Sequence, residues 1–147
     1  MNVQTQAIKA IKYKTLFIEL VCYAYVLVYL YASVYKLFDY KFFVAQLELS
    51  PLLGGYAGSL AWLVPSSEII GAMLLLVPKW RRMGMLLCTL IMTLFTIYIT
   101  YILTFSPMVP CSCGGILATM GWREHLVFNS CFVAAGLWAF LVMKPKQ

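Results

Sequence analysis

The stretch "MVPCSCGG", residues 108–115, carries two of the five cysteines of a 147-residue chain, Cys111 and Cys113, one residue apart between long apolar runs. Thiols at this spacing have three uses: exchange as a dithiol–disulfide couple, a grip on a soft metal, or packing in a tight turn. An i,i+2 disulfide needs Cα atoms about 4.4–6.8 Å apart with converging Cβ vectors, which only a tight and strained turn provides. Strain makes such a bridge easier to reduce, which suits exchange better than permanent stapling. Pro110 and Gly114-Gly115 favour a turn here, since proline restricts φ while the glycines can expose successive N–H groups to a thiolate.

His125 is the sole histidine and lies twelve residues beyond Cys113. Trp122, His125 and Asn129 recur at spacings of three and four, so a helix would place them on one face. His125 could accept a thiol proton, or complete a soft-metal set with Cys111, Cys113 and Met108. It could equally be an interfacial histidine satisfied by Glu124, Asn129 or the neighbouring loop. Copper is the metal that such a set would suit; zinc fits less well, for want of an obvious fourth strong ligand.

Glu68 is the other reactive candidate. It lies within "WLVPSSEIIGAMLLLV", and a carboxylate inside an apolar span is costly unless it is paired, protonated or open to a polar cavity. Lys36 is its expected counter-charge; Pro65, Ser66 and Ser67 add a freed carbonyl and hydroxyls. A structural polar cluster and a proton-handling role both remain open. Cys22 and Cys88 read as small apolar packing residues, and Cys131 as a resolving thiol only if the loop folds back towards it.

The elements that must position these groups are set by solvent. With 63% hydrophobic and 11% charged residues, and a mean hydropathy of +0.88, the chain lacks the charge of an aqueous surface. The expected fold is all-α, a bundle of four transmembrane helices in one integral membrane domain over residues 1–147. The spans are expected near 15–35, 60–77, 83–103 and 126–143, each close to the roughly 20 residues that cross the hydrocarbon core. The first span exceeds a usual signal-peptide core and is expected to be retained.

Lys9, Lys12, Lys14, Lys79, Arg81, Arg82, Lys144 and Lys146 fall on one side of the spans, against Lys36, Lys41 and Arg123 on the other. Positive-inside placement then puts both termini in the cytoplasm and the cysteine loop outside, where a dithiol can stay oxidised. The net charge of +6 reports topology and anionic headgroups rather than nucleic acid, because no basic face could hold a duplex. In the first outer connection, Leu37, Phe38, Phe42, Phe43 and Leu47 alternate with polar residues, predicting a short interfacial helix that ends near Ser50-Pro51. Two stripes follow from helical spacing. Cys22, Tyr25, Tyr29, Ser33 and Lys36 share a face of span one, read as packing ahead of a cofactor box, and Thr89, Thr93, Thr96, Thr100 and Thr104 form a stripe on span three, read as a packing seam ahead of a polar ligand path.

The four spans, "WLVPSSEIIGAMLLL", the basic turn "VPKWRRMG", "FTIYITYIL" and "PCSCGG" followed by "WREHLVFN" together resemble the MauE/DoxX-like redox-associated membrane proteins, especially the small members of Bacteroidota. The likeness runs from about Leu16 to Met143. It implies a bacterial inner-membrane protein that supports disulfide formation or maintenance in exported proteins, with Cys111 and Cys113 as redox residues and the cysteine loop facing the periplasm. It also implies a bundle similar to the quinone-linked thiol oxidases; Glu68, His125 and Asn129 match recurrent polar positions. There is no Cys-x-x-Cys and no second outer pair, so a partner is implied, either a periplasmic thiol protein or a larger membrane complex. The leading reading is a thiol-disulfide redox protein, with a quinone between helices as acceptor candidate ahead of copper. The alternative is a non-catalytic accessory subunit that stabilises a larger complex.

Overall fold

A computed structural model describes residues 3–105 and 121–143. The elements run α1 (Val3–Phe38), α2 (Tyr40–Glu48), a single 3₁₀ turn (Gly54–Tyr56), α3 (Ala57–Leu76), α4 (Arg81–Phe105) and α5 (Trp122–Val142). Among the described residues, four stretches are long and apolar enough to cross a membrane: Lys12–Phe38, Gly54–Leu76, Arg81–Phe105 and Trp122–Val142. This is the architecture of a multi-pass membrane protein. Helix is the form such segments must take, since lipid offers the backbone no hydrogen-bond partner and only internal bonding satisfies it.

Several boundaries differ from the sequence expectation. Helix α1 begins twelve residues before the expected span, at Val3, because nothing among Lys9, Lys12 and Lys14 interrupts a helix in water. Helix α4 continues to Phe105, and α5 starts at Trp122 rather than near 126, with the His125 N–H bonded to the Gly121 carbonyl at 3.0 Å. That early start brings Trp122 and His125 into the helix.

Helix α1 packs chiefly on α3, α3 on α4 and α4 on α5, with a lighter α1–α5 contact. The expected α1 stripe faces inward: Cys22, Tyr25, Tyr29 and Ser33 are buried. The threonine stripe is corrected. Only Thr89 is buried, while Thr100 and Thr104 lie exposed. From Thr93 onward the hydroxyls donate to carbonyls one turn earlier in their own helix, Thr93 to Thr89 at 2.7 Å and Thr104 to Thr100 at 2.8 Å. A hydroxyl satisfied by its own backbone needs no facing helix.

The short helix expected in the first connection is present as α2. Its Phe43 and Leu47 pack on Ala57 and Ala61 of α3, so this face is covered by protein, while Phe42 stays exposed. At the end with the basic turn, the Arg81 guanidinium donates to the Leu75 carbonyl near the end of α3, at 3.1 Å. Arg82 sits over the Phe140 ring, 4.8 Å from its centre, and ties α4 to α5. The main core lies at this basic end and includes Val21, Cys22, Leu75, Met85, Cys88 and Ala139.

Candidate functional site

The opposite end of the bundle gathers the polar groups. Glu68 comes from the middle of α3 and Lys36 from the end of α1, and both side chains are largely buried. The Lys36 ammonium donates to Glu68 Oε1, and the Ser33 hydroxyl donates to Glu68 Oε2 at 2.9 Å. One turn of α1 separates Ser33 from Lys36, so a single helix face supplies both donors. Lys36 also lies 5.8 Å from the centre of the Phe43 ring. Pro65, one turn before Glu68, cannot donate to the Ala61 carbonyl, and Ser67 donates to the Val64 carbonyl at 2.7 Å. The expected counter-charge is therefore in place, with each carboxylate oxygen accepting a donor.

Beside this cluster is a cavity of about 430 Å³ bounded by all five helices. Its polar lining includes Glu68, Gln46, Tyr98, His125 and Asn129, set among apolar and aromatic side chains such as Phe95. As the spacing predicted, Trp122, His125 and Asn129 share one face of α5, and all three line the cavity. His125 and Asn129 are buried. The His125 ring packs between aromatic neighbours, 5.8 Å from Phe95 and 6.5 Å from Trp122 between ring centres. Asn129 is 2% exposed, and among the described residues its Nδ2 has no hydrogen-bond partner.

Sequence reading missed two members of this site. The Tyr98 hydroxyl donates to Ser50 Oγ at 2.9 Å, tying α4 to the segment between α2 and α3. Gln46 contributes a buried Oε1 that has no partner among the described residues. Nothing in local spacing links Tyr98 to a serine 48 positions away, and Gln46 reads as the polar side of an amphipathic helix.

Cys111, Cys113 and Met108 lie outside the described residues. The segment carrying them, 106–120, joins Phe105 at the end of α4 to Gly121 ahead of α5. The other three cysteines are free: Cys22 and Cys88 are buried in the core at the basic end, and Cys131 is exposed on α5. Among the described residues, no three His, Cys, Asp or Glu side chains form a metal-ligand set.

Residues 14–142 match the family described as Methylamine utilisation protein MauE. No curated protein matches the chain, and no solved structure does.

Proposed function

The chain belongs to the MauE family, and on that premise we propose that it is an inner-membrane thiol-disulfide protein that supports disulfide formation or maintenance in exported proteins. Cys111 and Cys113 form its exchanging pair. In the oxidising direction, a partner thiolate attacks one sulfur of a Cys111–Cys113 disulfide and forms a mixed disulfide. The partner's second thiolate then displaces that sulfur. The partner leaves with a disulfide, and Cys111 and Cys113 remain as two thiols. His125 assists by holding or releasing a thiol proton, and Glu68, neutralised by Lys36, helps shape the site.

The observation that carries this reading is positional. The cysteines lie between the end of α4 and the start of α5, and α5 carries His125 and Asn129, which are buried and line one cavity with Glu68. Charge supports the orientation: Lys36, Lys41 and Arg123 belong to this end, whereas Lys9, Lys12, Lys14, Lys79, Arg81 and Arg82 belong to the opposite one. Positive-inside placement then puts both termini in the cytoplasm, the cysteines in the periplasm and α2 near the membrane interface.

The test is a thiol-trapping redox titration of the purified protein, read by mass spectrometry that separates Cys111, Cys113 and Cys131, with metal content measured on the same sample. A reversible Cys111–Cys113 couple is the expected result, together with loss of partner disulfides in a Cys111→Ser strain. If both thiols stay reduced under mild oxidation, and Cys111→Ser instead blocks assembly of a larger membrane complex, the accessory-subunit reading replaces this one.

A further inference from the structure

We infer that the cavity is a binding site for a neutral, lipid-soluble ring compound bearing carbonyl oxygens, the quinone class, with Asn129 as its principal donor. Its volume of about 430 Å³ is that of a small-molecule site rather than a packing defect. Apolar and aromatic side chains dominate the lining, Phe95 and Trp122 among them. Glu68 is already neutralised by Lys36 and bonded by Ser33, so this pair presents no uncompensated charge to a ligand. A neutral occupant follows. Leu63 and Leu94 belong to the lining yet are 63% and 59% exposed on the apolar flank of the bundle, which gives such a molecule a route from the bilayer.

The unpartnered groups specify the chemistry. Asn129 Nδ2 is a buried donor lacking an acceptor among the described residues, a costly state that a ligand carbonyl would relieve. His125, one turn earlier on α5, lines the same cavity. On the α2 wall, Gln46 Oε1 is a buried acceptor without a partner among the described residues. A site offering both an unpaired donor and an unpaired acceptor suits a molecule that alternates between carbonyl and hydroxyl forms, as a quinone and its hydroquinone do. This inference deepens the thiol-disulfide reading, on which its redox meaning rests. In that meaning two electrons and two protons leave the Cys111 and Cys113 thiols, the two ring carbonyls become hydroxyls, and a disulfide remains. Binding itself needs no cysteine.

The experiment uses the full chain in detergent, with Trp62, Trp80 and Trp138 replaced by Phe, so that Trp122 in the cavity wall is the sole tryptophan reporter. Decylubiquinone is titrated and quenching followed, in this protein and in a version that also carries Cys111→Ser and Cys113→Ser. Saturable quenching in both is expected, with the midpoint raised about tenfold or more by Asn129→Leu, the scale of one lost buried hydrogen bond. Ala32→Phe, which adds bulk to the cavity from α1 and removes no polar group, should abolish saturation; thermal unfolding shows which variants are folded. Quenching that rises without saturation, or that saturates identically in folded Asn129→Leu and Ala32→Phe proteins, overturns the inference. A working cysteine couple without saturable quenching would sink the quinone site alone, whereas saturable quenching in a protein without that couple would sink only the exchange reading.

Discussion

The two ends of this bundle are built to opposite rules. At the basic end, helices meet at close range: a Cβ on Gly84 would lie 2.8 Å from the Leu75 nitrogen and 2.9 Å from the Leu74 carbonyl carbon. Gly136 is similarly crowded by Thr89 and Tyr25. Without a hydrophobic drive between helices in lipid, small residues and dispersion hold such contacts. At the cysteine-loop end, the helices stand apart around a cavity, and an ion pair with its hydroxyl partner replaces close packing. One end is close-packed, with Gly84 against the α3 backbone and Gly136 against two side chains. The other is polar and open, the kind of place where ligands and proton transfers can be accommodated.

Breaking the ion pair should have the largest effect on that contrast. Glu68→Leu with Lys36 retained leaves an uncompensated buried ammonium and is expected to cost about 3–5 kcal/mol, read by denaturant unfolding in micelles. The double change Lys36→Met with Glu68→Leu should recover most of this loss; a double variant no more stable than the single one would show that the pair does more than neutralise charge. At the other end, Gly84→Val pushes a side chain into the α3 backbone, and a loss of about 1–3 kcal/mol is expected in the same measurement. Equal stability to the wild type would mean that the close contact is not what holds this end.

A smaller effect tests where the two regions meet. The Tyr29 hydroxyl donates to the Cys88 carbonyl at 2.6 Å, and Tyr29 also lines the cavity. Tyr29→Phe should cost about 1 kcal/mol while leaving the fold unchanged by circular dichroism. The smallest effect is expected at Thr104, exposed and bonded to its own helix. Thr104→Ala should stay within about 0.5 kcal/mol of wild type. A larger loss would restore the threonine stripe as a packing seam.

Much of this was legible before any coordinates, but unevenly. Lys36 and Glu68 could be matched because a charge inside a span must find a partner, and the first helix offers a lysine at that depth. The α1 stripe was legible because large aromatic groups and small polar ones share a helical face there. The threonine stripe misled for a related reason. Spacing reports that residues share a face but not whether that face meets protein or lipid, and a threonine can satisfy itself on its own helix. Tyr98–Ser50 was beyond reach, since it depends on how a connecting segment lies across α4.

What the sequence determined by itself was the all-α, four-span architecture and the charge asymmetry between the two ends. Lipid leaves the backbone no alternative to helix, so apolar length alone decides those elements. Family membership was likewise visible in the motifs. Tertiary structure alone decided that α2 folds onto α3, that Asn129 and Gln46 line one cavity with atoms unpaired among the described residues, and that Ser33 joins Lys36 on Glu68. Those features depend on the distance and rotation between helices, which arise from packing many side chains at once.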